Sequence, residues 1–170
     1  MAVTTEEMVR QFTDSILSAH GGHRLPSCYQ CGKCTAGCPV ARVTDAFSPK
    51  KFIRLAQLGL ENMALDKKSP IWLCATCYNC TEVCPQDVEP TEIFIALKTF
   101  AIRRGILPMG RKMGFGTLAK KGRMFDVGDK QQQERAALGL DPCPEVDVDQ
   151  TLAILELRGI LPLLTGRKPK

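Results

Sequence analysis

Residues 28–39 read CYQCGKCTAGCP and residues 74–85 read CATCYNCTEVCP, so the spacing C-x2-C-x2-C-x3-C-P occurs twice in one chain. Cys28, Cys31, Cys34 and Cys38 map onto Cys74, Cys77, Cys80 and Cys84 with a constant offset of 46. Three cysteines at x2 spacing wrap one face of a cubane iron-sulfur cluster on a tight loop, and the fourth thiolate must arrive from elsewhere. Pro39 and Pro85 follow the last cysteine of each run, and the fixed φ of proline carries that cysteine away from its own loop. The pattern therefore predicts two [4Fe-4S] clusters with crossed ligation. Cys28, Cys31, Cys34 and Cys84 would hold the first; Cys38, Cys74, Cys77 and Cys80 would hold the second. Structural zinc is the competing reading, since it also uses C-x2-C pairs. Zinc has no use, however, for a third cysteine at x2 and a fourth at x3 before proline.

Outward from the two runs, the punctuation is helical. Thr4-x-x-Glu7 has the form of a capping box, and Met8, Phe12, Ile16 and Ala19 follow at helical spacing until Gly21 and Gly22. Ser48-Pro49 sets an N-cap and a first-turn proline ahead of Phe52, Leu55 and Ala56, with Gly59 as the stop. Ser69-Pro70 opens a short helix into the second run, and Pro90 starts another that carries Ile93, Phe94, Leu97, Phe100 and Ala101 on one side. The repeat extends past the cysteines. Pro49 precedes Phe52-Ile53-Arg54-Leu55 much as Pro90 precedes Phe94-Ile95-Ala96-Leu97, which implies two pseudo-symmetric units of ligand loop plus helix. Strand-like alternation is scarce, so the fold class is mainly α. The expected division is a cluster-binding domain over 1–108 and, over 109–170, a basic glycine-rich segment with a C-terminal helical tail for partner docking.

Composition narrows the classes of function. The 170 residues carry a formal charge of +5. Two oxidised clusters with their thiolates, at roughly −2 each, would bring this to about +1 and remove most of a general pull toward nucleic acid. No stretch approaches the ~18–20 uncharged apolar residues of a membrane span, and MAVTTEEM lacks the basic and apolar regions of a secretory signal. A cytoplasmic protein is expected, in which thiols stay reduced and clustered cysteines point to metal. Cys143 stands alone and reads as a buried or idle thiol, while His20 and His23 flank a glycine pair at a helix end and read as capping or surface residues. Gly32 and Gly37 in the first loop would let the backbone approach sulfur. Thr76, Asn79 and Thr81 in the second could donate to cluster sulfurs, or all five could simply be turn residues.

The 35 residues between Cys38 and Cys74 read as helix, unlike the short strand-flanked connection of small two-cluster ferredoxins. In this the chain resembles the α-helical ferredoxin domain found in succinate dehydrogenase iron-sulfur subunits and in the C subunits of anaerobic glycerol-3-phosphate dehydrogenase and of heterodisulfide reductase. It has no C-x4-C-x2-C run for the two-iron domain of the first family and no adjacent Cys-Cys pair as in the second. It resembles the C subunit of heterodisulfide reductase most, over roughly residues 8–125. The resemblance implies an electron relay with no substrate site of its own. In such complexes a flavoprotein, the A subunit, splits electron pairs, and the C subunit passes single electrons through two clusters. The cysteine-rich B subunit then reduces the mixed disulfide of coenzyme M and coenzyme B. The residues themselves carry no nucleophile-base pair, phosphate loop or flavin fingerprint.

Nine basic residues against Asp126 and Asp129 between Lys98 and Lys130, with six glycines from Gly105 to Gly128, read as an irregular, extended segment that docks on protein rather than nucleic acid. Leu152, Leu155, Ile160, Leu161, Leu163 and Leu164 give the tail more apolar surface than a short helix buries alone. Three alternatives stay beside the relay: an iron-sulfur subunit of another anaerobic oxidoreductase, a freely diffusing helical ferredoxin, and a protein whose clusters only brace the fold.

Overall fold

The computed structural model describes residues 5–161. It is helical, with no strand among the described residues, and it falls into two compact units, Met1–Ile106 and Leu107–Lys170. In the first unit, α1 (Thr5–Leu17) is followed by a 3-10 turn (Gly22–Ser27), α2 (Lys33–Ala36), α3 (Pro49–Gln57), α4 (Glu61–Ala64), a second 3-10 turn (Pro70–Leu73), α5 (Asn79–Glu82) and α6 (Pro90–Arg103). The expected capping residue Thr4 lies outside the described residues.

The predicted starts are where the chain turns into helix. Ser48 Oγ accepts from the Lys51 N–H and Pro49 occupies the first turn of α3, while Ser69 Oγ accepts from the Ile71 N–H before Pro70. Of the α1 stripe, Phe12 and Ile16 are fully buried and Met8 is not. The α6 face buries Ile93, Phe94, Leu97 and Ala101. Phe47, Phe52 and Phe94 form an aromatic cluster with ring centroids 5.6, 5.9 and 6.5 Å apart, and Phe100 meets Phe12 edge-on at 5.2 Å. Few aromatics are present, but they converge where α1, α3 and α6 pack on one another. The short helices α2 and α5 pack together beside them, each carrying the third cysteine of its run.

The second unit holds α7 (Met109–Lys121), α8 (Asp129–Ala137) and α9 (Val148–Leu157). Here the structure corrects the expectation of an extended glycine-rich segment, because residues 109–121 are helical despite Gly110, Gly114 and Gly116. Each mid-helix glycine costs about 1 kcal/mol relative to alanine, and packing of α7 against α9 overrides that cost. Gly114 faces the Met124 side chain, and the helix stops at Gly122, whose φ of 66° lets its N–H reach the Leu118 carbonyl at 2.8 Å. Leu155 is the only buried hydrophobic side chain of this unit among the described residues. Met109, Met113, Phe125, Leu138 and Leu157 are all at least two-thirds exposed. Leu163 and Leu164 lie outside the described residues.

Arg104 also departs from the expectation of a basic docking residue. Its guanidinium pairs with Glu61 at 3.1 Å and lies over the Phe100 ring at 4.8 Å, so this cation is spent inside the first unit.

Candidate iron-sulfur site

The two cysteine loops share an unusual backbone. In the first, Gln30 and Gly32 have φ of 65° and 84°; at the matching positions of the second, Thr76 and Tyr78 have φ of 55° and 62°. Only one of the four is glycine. Left-handed backbone at Gln30, Tyr78 and especially the β-branched Thr76 costs on the order of 1–2 kcal/mol each. The same cost at the same positions of both loops marks a geometry the site requires. Left-handed residues alternating with residues of negative φ are a backbone pattern that in general forms a concave nest of N–H groups suited to an anion.

The eight cysteines gather around two hollows. Cys28, Cys31, Cys34 and Cys84 line one, with Ile53, Val88 and Lys50. Cys38, Cys74, Cys77 and Cys80 line the other, with Phe47, Phe94 and Thr91. Each hollow thus takes three cysteines from one run and the last cysteine from the other. Cys38 and Cys80 are buried, Cys31 and Cys77 are exposed, and the remaining four are half-buried. Among the described residues no three Cys, His, Asp or Glu side chains are placed to hold a single metal ion. Four thiols lining one largely apolar hollow are a donor set that a four-iron cluster takes.

Several groups hold the ligands in place. The Asn79 amide donates to the Gly37 carbonyl at 2.6 Å and ties the two loops together. Lys98 donates to the Cys74 carbonyl at 3.1 Å, and the Gln57 amide donates to the carbonyls of Leu25 and Cys28 at 3.1 and 2.9 Å. Directly at sulfur, Gln30 Nε2 lies 3.4 Å from Cys28 Sγ, the Val88 N–H lies 3.3 Å from Cys84 Sγ, and Thr91 Oγ1 lies 3.2 Å from Cys80 Sγ. Of the residues expected to donate to sulfur, Asn79 serves a carbonyl and Thr81 donates to the Thr91 hydroxyl. Thr91, Val88 and Gln30 are additions. Thr91 could have been sought in the sequence as the residue after Pro90, the position matching Lys50 after Pro49.

Burial pushes the Cys34 thiol up to about 11 against an opposing pull from Thr35, and burial likewise raises Cys80 against an opposing pull from Thr91. Without metal these sulfurs keep their protons. Iron must displace the protons on binding. His20 approaches Glu92 at 3.6 Å on the surface. Cys143 belongs to the second unit, where its N–H donates to Gln132.

Residues 24–88 match the family model of the 4Fe-4S dicluster domain. The chain is 37% identical over 142 residues to the C2 subunit of the H2/formate:CoB-CoM heterodisulfide, ferredoxin reductase of Methanococcus maripaludis, covering 79% of this chain and 76% of the relative. It is 30% identical over 152 residues to the C subunit of the H2:CoB-CoM heterodisulfide, ferredoxin reductase of Methanothermobacter thermautotrophicus, covering 89% and 80%. A heterodisulfide reductase C-subunit-like protein of Archaeoglobus profundus is 31% identical over 167 residues, covering 95% of this chain and 84% of the relative. No helix among the described residues is long and apolar enough to cross a membrane. A helical fold, two repeated cysteine loops and kinship over most of the length have one common reading: this chain belongs to the family of heterodisulfide reductase C subunits, which are iron-sulfur proteins.

Proposed function

We propose that the chain relays single electrons through two [4Fe-4S] clusters inside a heterodisulfide reductase-type complex. The electrons come from a flavoprotein like the A subunit of such complexes and leave to a cysteine-rich protein like the B subunit, which reduces the disulfide. The first cluster is held by Cys28, Cys31, Cys34 and Cys84, the second by Cys38, Cys74, Cys77 and Cys80. The single observation that carries this reading is the gathering of all eight cysteines into two sets of four, each set drawn from both runs. Two cysteine sets laced through the same pair of loops suit transport, since bracing a fold needs only one.

When bound, each cluster supplies a site that gains and loses one electron. The protein's own groups do the rest. The left-handed turns supply a backbone pattern suited to an anion, the Asn79 bridge fixes one loop against the other, and Phe47, Phe94, Ile53 and Val88 wall the hollows with apolar groups. The exposed Cys31 and Cys77 put one ligand of each set next to solvent, giving each hollow a side on which a partner's redox centre can approach. The second unit, residues 107–170, serves as the docking element. Its uncovered Met109, Met113, Phe125 and Leu157 and its cations complete a core only against another protein of the complex. The chain holds no substrate site and works in the cytoplasm.

The test is reconstitution. Alone, the loaded chain accepts electrons from a low-potential dye and reduces no disulfide. Added to its partners, it is required for electron flow. Heterodisulfide reduction by the isolated chain would place the chemistry here and overturn the proposal.

A further inference from the structure

The two halves of the site share a backbone pattern and differ at the residue that follows the helix-opening proline. In each half, the threonine after the third cysteine accepts an N–H from the first turn of the following helix: Thr35 from Lys50 at 3.0 Å, and Thr81 from Thr91 at 3.4 Å. The residue after the helix-opening proline is Lys50 in one half and Thr91 in the other. Lys50 is exposed and has no hydroxyl. Thr91 is 1% exposed, one of only two buried polar residues described, and its hydroxyl lies against Cys80, which is itself 7% exposed.

The donors around Thr91 form one directed chain. The Thr91 N–H points to Thr81 Oγ1, the Thr81 hydroxyl donates to Thr91 Oγ1 at 3.2 Å, and each hydroxyl has a single proton to give. Thr91 Oγ1 accepts a hydrogen bond from the Thr81 hydroxyl, so its own O–H is free to donate to Cys80 Sγ at 3.2 Å. An iron-bound thiolate has no proton and can only accept. The N–H that starts the chain belongs to the first turn of α6, where the helix dipole is positive, so every bond in it is polarised toward the sulfur. In the first half the hydroxyl at the third cysteine belongs to the loop itself: Thr35 lies against Cys34 and opposes the rise in its pKa, while also pairing with the Ser48 hydroxyl at 3.2 Å, and no side chain from α3 takes the place of Thr91.

We infer that Thr91 is a tuning residue of the second cluster: its buried hydroxyl, driven by Thr81 and the first turn of α6, donates to the Cys80 sulfur and raises that cluster's reduction potential. One-electron reduction adds negative charge to cluster and sulfurs, and a fixed donor at sulfur favours the more negative state. Gln30 and Val88, which donate at Cys28 and Cys84, are untouched by changes at Thr91 and keep the first cluster as an internal reference.

This inference rests on the ligand sets proposed above, and the experiment separates the two. Anaerobically loaded wild-type protein is titrated first, with iron content and EPR recorded. Two one-electron waves and two clusters are the baseline, and their absence refutes the ligand sets whatever Thr91 does. Cys77→Ser marks which wave belongs to the second cluster. Thr91→Val, equal in shape and lacking the hydroxyl, is expected to move that wave to lower potential and leave the other in place, while Thr91→Ser stays at the wild-type value. In D2O, a deuteron coupled to the reduced second cluster should be present in wild type and Thr91→Ser and absent in Thr91→Val. Thr81→Val removes the upstream donor and should give a smaller shift in the same direction, which keeps the test decisive if Thr91→Val loads poorly. Unshifted waves in loaded Thr91→Val, or in Thr81→Val if only that variant loads, would overturn the inference.

Discussion

Phe94→Ala would test whether the aromatic cluster and the second hollow are one mechanical unit. Phe94 is 1% exposed, touches Phe47 and Phe52 edge-on at centroid distances of 5.9 and 6.5 Å, and walls the hollow lined by Cys38, Cys74, Cys77 and Cys80. Truncating a buried phenylalanine costs about 3–5 kcal/mol from lost transfer energy and the cavity left behind. The upper half of that range applies because two edge-to-face contacts vanish as well, each worth about 0.5–1.5 kcal/mol. A bound cofactor spoils simple denaturant unfolding, so native-state hydrogen exchange of the loaded protein is the suitable assay. At about 1.4 kcal/mol per tenfold, the slowest-exchanging amides of α6 should lose roughly 10³- to 10⁴-fold in protection. Phe94→Leu should lose far less. A loss under about tenfold in Phe94→Ala would mean that this cluster is not what holds α6 against the site, and would refute the reasoning.

Crossed ligation predicts that Cys84→Ala damages the cluster of Cys28, Cys31 and Cys34, and that Cys38→Ala damages the other; EPR of each loaded variant showing loss of the cluster nearest in sequence would be the opposite result. Because burial holds the Cys34 thiol up at about 11 and raises Cys80 too, protons compete strongly with iron for these sulfurs. Cluster loss to a chelator, followed by bleaching of the visible absorbance, should therefore accelerate as pH falls from about 8 to 6, as expected when metal binding displaces protons, and a pH-independent rate would contradict it. Reversing the exposed Lys112 and Lys120 to Glu should weaken assembly with the partner proteins at low salt and matter little at high salt; unchanged binding by ultracentrifugation at both would leave α7 a solvated helix.

What the sequence reveals and hides follows from the range of the interactions. The cysteine runs and the starts at Ser48-Pro49, Ser69-Pro70 and Pro90 are local chemistry, and they are legible because spacing, capping and fixed φ act within a few residues. The helix at 109–121 is not local. Three glycines argue against it, and only packing on α9 and the stop at Gly122 make it stand. Arg104 reads as one more cation in a basic stretch, yet its partner Glu61 lies 43 residues away and turns it into a structural tie. The same distance hides the second role of the loops. Asn79 looks suited to donate to sulfur and is instead claimed by the Gly37 carbonyl of the other loop, while Thr91 outside the motif reaches Cys80. Repetition at an offset of 46 makes the two halves visible as a pair, and their difference at Lys50 and Thr91 becomes meaningful only once both are seen beside their cysteines.

The central claim is two four-iron clusters on eight cysteines, coupled closely enough to pass one electron between them. Metal and sulfide analysis of the anaerobically prepared chain, joined to EPR of its dithionite-reduced state, tests this most directly. The account predicts about eight irons and about eight sulfides per chain and a spectrum broadened by interaction between two paramagnetic clusters. Stoichiometric zinc with no signal on reduction, or about four irons with the spectrum of an isolated cluster, would contradict it.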